Sequence, residues 1–163
     1  MKKLLYIFTF IALSSCEVQY SMLDTTIKAD TFSVAIFEEQ AANAPAGYGI
    51  NFTEFLRNYI VSRSKLKLKS DEADIEISGK IVNYYTAPIS VQSDQQAANN
   101  RLTIAVEVSV INNKDEKESF EKRFSQFSDY DATFDLSSVE DELLRDINDK
   151  LSQDILMQLS SNW

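Results

Sequence analysis

Arg101-Leu102-Thr103-Ile104-Ala105-Val106-Glu107-Val108-Ser109-Val110-Ile111 alternates without a break. Leu102, Ile104, Val106, Val108 and Val110 share one side and Thr103, Ala105, Glu107 and Ser109 the other, the period-two pattern of a strand with one buried face. The flanking segments extend the pattern into a sheet. Upstream, over residues 74–86, Ile75, Ile77, Gly79 and Ile81 alternate with Glu76, Ser78 and Lys80. Residues 88–100 between these two strands are polar and read as a long exposed hairpin connection. Downstream, Asn112-Asn113-Lys114-Asp115 supplies a turn, and Phe120, Phe124 and Phe127 mark a further strand. The three-residue step from Phe124 to Phe127 predicts a bulge near Ser125 or Gln126.

Further out the period changes to helical. Ser137 and Glu140 form an S-x-x-E capping box, followed by Leu143, Leu144, Ile147, Leu151, Ile155 and Leu159 on one stripe. Asn51 and Glu54 give a similar start to a helix over residues 51–64, with Phe52, Phe55, Leu56, Tyr59 and Ile60 at helical spacing. Over residues 31–38, Phe32, Val34 and Ile36 alternate with Ser33, Ala35 and Phe37, as expected of a well-buried strand. Residues 40–49, with Pro45, Gly47 and Gly49, form a loop. Lys65-Leu66-Lys67-Leu68-Lys69 fits a short strand with a basic outer face, or an extended connector. The economical assembly is α+β, with two helices packed on one face of a mixed sheet of about four strands and the other face open to a partner.

The N-terminus is of another kind. Lys2 and Lys3 precede an apolar run from Leu4 to Leu13, too short for a stable membrane span, and Leu13-Ser14-Ser15-Cys16 ends it with the only cysteine of the chain. This is the pattern of a lipoprotein signal: residues 1–15 a signal peptide, residues 16–30 a lipidated tether without sustained periodicity, and residues 31–163 the folded domain. Cys16 is the expected lipidation site. Acylation anchors the domain to a membrane, and Glu17 rather than aspartate after the cysteine favours the outer membrane, periplasmic side.

Composition narrows the chemistry. Without Lys2 and Lys3, 25 acids face 14 bases, a net charge of −11 that argues against nucleic acid as a partner. Histidine is absent and the one thiol is assigned to lipid, which removes Cys-His and Ser-His-Asp machinery and histidine-ligated metals. Three glycines, Gly47, Gly49 and Gly79, cannot build a phosphate loop. No cofactor is expected.

One constellation resembles a calcium loop: Asp129, Asp131, Thr133, Asp135, Ser137 and Glu140 occupy the ligand positions, but Phe134 stands where glycine is needed and a strand precedes the loop. A solvated strand-to-helix connection explains the same residues. Glu140, Asp141 and Glu142 suit the positive end of a helix dipole. Tyr84 and Tyr85 are adjacent, so in a strand one of them points away from the core and marks a contact surface.

The order of these elements, with Phe52-Thr53-Glu54-Phe55-Leu56-Arg57, Gly79-Lys80-Ile81-Val82-Asn83-Tyr84-Tyr85-Thr86-Ala87-Pro88, Asn100-Arg101-Leu102-Thr103-Ile104, Phe127-Ser128-Asp129-Tyr130-Asp131 and Leu136-Ser137-Ser138-Val139-Glu140-Asp141-Glu142-Leu143, resembles the LptE family of lipopolysaccharide-assembly lipoproteins in its Bacteroidota form. The resemblance implies a non-enzymatic protein that plugs the LptD outer-membrane β-barrel, helps it assemble and helps lipopolysaccharide reach the outer leaflet. Tyr84, Tyr85, Gln92, Gln95 and Gln96 are the candidate contacts to such a barrel. Family members that bind lipopolysaccharide do so through basic residues in the corresponding loop and near the start of the last helix. Here the loop carries no Lys or Arg and the helix start is acidic, so direct lipopolysaccharide binding stays open. Arg63, Lys65, Lys67 and Lys69 are the remaining candidates for lipid phosphate, or else a solvated edge. The alternative from another class is a stand-alone envelope lipoprotein acting as a hydrolase or calcium-dependent binding module.

Overall fold

A computed structural model describes residues 27–89 and 99–161. Its elements run β1 (Thr31–Val34), β2 (Glu38–Glu39), α1 (Tyr48–Arg63), β3 (Lys67–Leu68), β4 (Ile75–Ile89), β5 (Asn99–Asn112), a 3₁₀ turn (Glu116–Glu118), β6 (Phe120–Asp131) and α2 (Leu136–Ser160). The α+β arrangement of two helices and a mixed sheet agrees with the sequence. The sheet has six strands rather than about four, in the order β3-β1-β4-β5-β6 with β2 also on β4. β2 and β3 are two residues each and pair in parallel, β2 with β4 and β3 with β1. β3 lies within Lys65–Lys69, the stretch that fits a short strand or a connector, whereas β2 is too short to show any alternation.

β4, β5 and β6 form an antiparallel ribbon whose register runs from Ile75↔Asn112 to Ile89↔Asn99 and from Val110↔Phe120 to Asn99↔Asp131. At ~3.3 Å per residue the ribbon is about 45 Å long. One face carries Phe32, Val34, Ile75, Ile77, Ile81, Leu102, Ile104, Val106, Val108, Val110 and Phe124, all buried against Phe52, Leu56 and Ile60 of α1 and Leu143, Ile147, Leu151 and Ile155 of α2. Both strands run further into the polar connection than their apolar pattern indicated, and Pro88 pairs with Asn100. β1 and β2 accompany β4 only as far as Ile81, so at Pro88 the missing N–H falls on an edge without a partner among the described residues.

Several local expectations are corrected. The β5–β6 register is continuous, so there is no bulge at Ser125 or Gln126; the irregularity lies in β4, between Ile81 and Asn83. It switches the inward parity from odd to even residues, which is how Tyr84 follows Ile81 into the core. Phe127 accordingly stands on the open face. The first strand stops at Val34, and Phe37 rather than Ile36 enters the core, with Ile36 60% exposed. Gly79 makes this possible: a Cβ there would lie 2.4 Å from the Phe37 ring. Thr53 Oγ1 accepts the Phe37 N–H at 3.0 Å, and the Phe52 ring meets Phe37 edge-on at 5.0 Å.

α1 begins three residues before Asn51, at Tyr48, behind Gly47 at φ +82. Its cap comes from a distance: the Glu39 carboxylate of β2 accepts the Gly49 N–H at 2.9 Å. Asn51 is an interior residue, with its N–H bonded to the Gly47 carbonyl. In α2 the N-cap is Asp135, without a side-chain cap bond, so Ser137 and Glu140 lie inside the helix and do not form a capping box. Leu66 is buried, but Leu68 of β3 is 51% exposed, so the Lys65–Lys69 alternation does not separate an inner from an outer face.

Candidate functional site

The two helices cover one face of the ribbon. On the other, at the end nearest the β4–β5 connection, cross-strand register sets Tyr85 beside Thr103 and Thr103 beside Phe127, and in the next row sets Ala87, Arg101 and Asp129 side by side. Arg101 donates through Nε and Nη2 to the two carboxylate oxygens of Asp129, at 2.7 and 2.9 Å. Its guanidinium carbon also sits 3.5 Å from the centroid of the Phe127 ring. The hydrogen bonds to Asp129 hold the Arg101 pKa above its usual value, and those from Arg101 hold the Asp129 carboxyl below its own. Both charges are thus fixed in place over an aromatic floor. Tyr85 is 46% and Phe127 42% exposed, an apolar area with a charged rim suited to protein contact.

Tyr84 is turned the other way and is 5% exposed, so it belongs to the core and not to a contact surface. Its hydroxyl donates to the Glu140 carboxylate of α2, and its ring meets Tyr48 edge-on at 6.0 Å. The Tyr48 hydroxyl donates to Asn148 Oδ1 at 2.6 Å. Burial pushes the pKa of both tyrosines far up, and at Tyr84 the bond to Glu140 adds to the rise, so both hydroxyls remain donors. This network fixes the ribbon beneath Tyr85 to both helices.

Gln92, Gln95 and Gln96 lie outside the described residues, as does Cys16. The basic residues Arg63, Lys65, Lys67 and Lys69 are exposed at the end of α1 and around β3, at the opposite edge of the sheet from Phe127 and Asp129. Arg63 stacks over Tyr59 at 4.9 Å, and Lys69 donates to the Glu72 carbonyl. The structure does not bring them to the Tyr85 patch. Nor do the residues of the calcium-like spacing converge. Asp129 is bound to Arg101 on the open face, Asp131 accepts from the Thr133 N–H and hydroxyl, and Glu140 faces the helix layer and Tyr84. Among the described residues no three acidic side chains are placed to hold a metal ion. Sequence reading missed Arg101, Phe127 and Asp129 as a unit, because only the register of two strands places them together.

The fold defines the class. The chain superimposes on a minor lipoprotein from Acinetobacter baumannii (17% identity, TM-score 0.53, 82% of this chain and 94% of that one). It also matches a hypothetical protein from Chlamydia trachomatis (12% identity, TM-score 0.57, 81% and 96%) and a protein from Xanthomonas campestris (9% identity, TM-score 0.51, 82% and 86%). At these identities the likeness is one of fold. The model of the lipopolysaccharide-assembly family LptE matches residues 29–159, and the chain belongs to that family. No curated protein sequence matches it. Among the described residues no helix is long and apolar enough to cross a membrane.

Proposed function

We propose that the protein is a non-enzymatic lipoprotein of the outer membrane that binds and plugs an LptD-type β-barrel and assists the assembly and export of lipopolysaccharide. It is held on the periplasmic side by acyl chains on Cys16, with residues 1–15 removed as a signal peptide and residues 16–30 serving as the tether. Membership of the LptE family supports the lipopolysaccharide pathway. The observation that carries barrel binding is the exposed Tyr85–Arg101–Phe127 patch beside the β4–β5 connection. It combines aromatic area with an oriented charge pair, and a polar barrel lumen can meet both. Gln92, Gln95 and Gln96, the further candidate contacts in the sequence between β4 and β5, bring uncharged donors and acceptors. Arg63, Lys65, Lys67 and Lys69 belong to a second, separate surface, suited to lipid phosphate.

Affinity purification of the tagged protein from detergent-solubilised outer membrane tests this reading. Recovery of a large β-barrel in near one-to-one amount is expected. A folded, lipidated protein recovered without a barrel overturns it.

A further inference from the structure

Across the middle of the open face, register sets Glu38 of β2 beside Lys80 of β4, Lys80 beside Glu107 of β5 and Glu107 beside Arg123 of β6. The sign of charge therefore alternates from strand to strand along one row. All four side chains point away from the helices. Glu39, next to Glu38, reaches α1 through Gly49, and Ile81, Val106, Val108 and Phe124, next to the others in sequence, are in the core. Among the described residues neither Lys80 nor Glu107 is in an ion pair, although they stand side by side. The row borders a hollow of 180 Å³ floored by Ser78 and Ser109, with exposed Ile36 on its rim. Apolar side chains flank it along the strands, Tyr85 and Phe127 toward one end and Ile111 toward the other, each of them more than two-fifths exposed.

Taken from the β6 side, the same row is Arg123, Glu107, Lys80, Glu38, with every sign reversed. A two-fold axis parallel to the strands and between β4 and β5 turns this reversal into contact. It brings Glu38 opposite the partner's Arg123 and Lys80 opposite the partner's Glu107, and each contact occurs twice. An axis laid across the strands along this row instead sets like charges against like. The charge pattern is complementary to itself under the first operation and not under the second.

We propose that the open face of the sheet pairs with the same face of a second copy, in a face-to-face dimer with the strands of the two sheets aligned. From Ile75 to Ala87 at ~3.3 Å per residue, and across four strands at ~4.8 Å, the face measures about 40 by 19 Å, on the order of 750 Å². That is close to the ~800 Å² per partner of a stable interface of standard size. The axis also keeps strand direction, so Lys28, 3.9 Å from Glu118, lies at the same end in both copies. Two copies anchored to one membrane surface meet that condition. Because Tyr85 and Phe127 lie on the same face, the dimer and a barrel complex exclude one another, and the dimer does not rest on the barrel reading.

Sedimentation equilibrium of the full lipidated chain in density-matched detergent tests the pairing, with circular dichroism to match the fold of each variant. The wild-type mass is expected to rise from one chain to two with protein concentration. Glu107→Lys and Lys80→Glu each place like charges opposite one another twice per dimer and are expected to weaken association by roughly ten-fold or more. Lys80→Glu/Glu107→Lys restores the opposition and is expected to restore the dimer. A wild-type chain of single-copy mass at every concentration overturns the proposal. So does a dimer that both single variants leave intact, which places the contact on another surface, or a loss that the double variant does not repair.

Discussion

Arg101 lies over the Phe127 ring while its Nε and Nη2 hold Asp129, so one side chain joins an aromatic surface to an ion pair on the same face of β5 and β6. Arg101→Ala removes both contacts. Because the ion pair lies on the open face with both side chains partly solvated, the thermal midpoint of the isolated domain is expected to stay nearly unchanged. Barrel recovery from outer membrane should fall several-fold, as should that of Tyr85→Ala. Undiminished recovery with both variants moves the interface off this patch.

Tyr84→Phe keeps the ring and deletes the hydroxyl that donates to Glu140. Leaving a half-buried carboxylate short of a donor costs on the order of 1–2 kcal/mol in chemical denaturation. Tyr85→Phe, one residue away on the open face, should cost less than about 0.5 kcal/mol. Equal effects from the two would contradict their opposite placement.

Gly49 and Gly79 both make room for Phe37: a Cβ on Gly49 would stand 2.2 Å from the Phe37 carbonyl oxygen, and one on Gly79 2.4 Å from its ring. Gly49→Ala and Gly79→Ala are each expected to destabilise by roughly 1–3 kcal/mol through overpacking. Gly47→Ala meets no neighbour but forces a side chain onto φ +82, for a loss of about 1 kcal/mol. Urea midpoints for the three variants rank these effects.

The Asp74 carboxylate accepts the Asp30 and Thr31 N–H groups at 2.8 and 2.9 Å and lies 3.1 Å from Lys114. The backbone bond from Asp30, followed by the bonds from Lys114 and Thr31, lowers its pKa from 3.8 to about 2 against the opposing effect of desolvation. A carboxyl depressed in the folded state contributes fully above about pH 4 and loses that contribution as the pH falls toward 2. Urea midpoints should therefore decline over that window, and less steeply in Asp74→Asn. An identical decline in the variant would place the acid sensitivity elsewhere.

Long elements with a regular period were legible: β4, β5 and α2 are where Ile75–Ile81, Leu102–Val110 and Leu143–Leu159 indicate, because burial of one face imposes its period on the residues. The start of α1 was not, because Glu39, ten residues upstream of Gly49, provides the cap that the sequence assigns to Asn51. Phe37 replaced Ile36 in the core because a glycine forty-two residues later leaves space for its ring. Of the candidate site, Tyr85 could be reached by elimination once Tyr84 was assigned inward. Arg101, Phe127 and Asp129 could not, since the Phe124–Phe127 step reads equally as a bulge or as a change of face, and only the continuous β5–β6 register decides.

The clamp at Asp74 also sets how the domain carries a load. β1 enters the sheet between β3 and β4, parallel to both. Tension applied through the upstream chain, away from the hairpin end, acts along the axis of β1. Its ladder bonds are then sheared together and cannot be peeled one after another. Asp74 and Lys114, which grip Asp30 at the point of entry, take the first share of the force. In the anchored, barrel-bound protein proposed above, that grip stands at the junction between tether and domain.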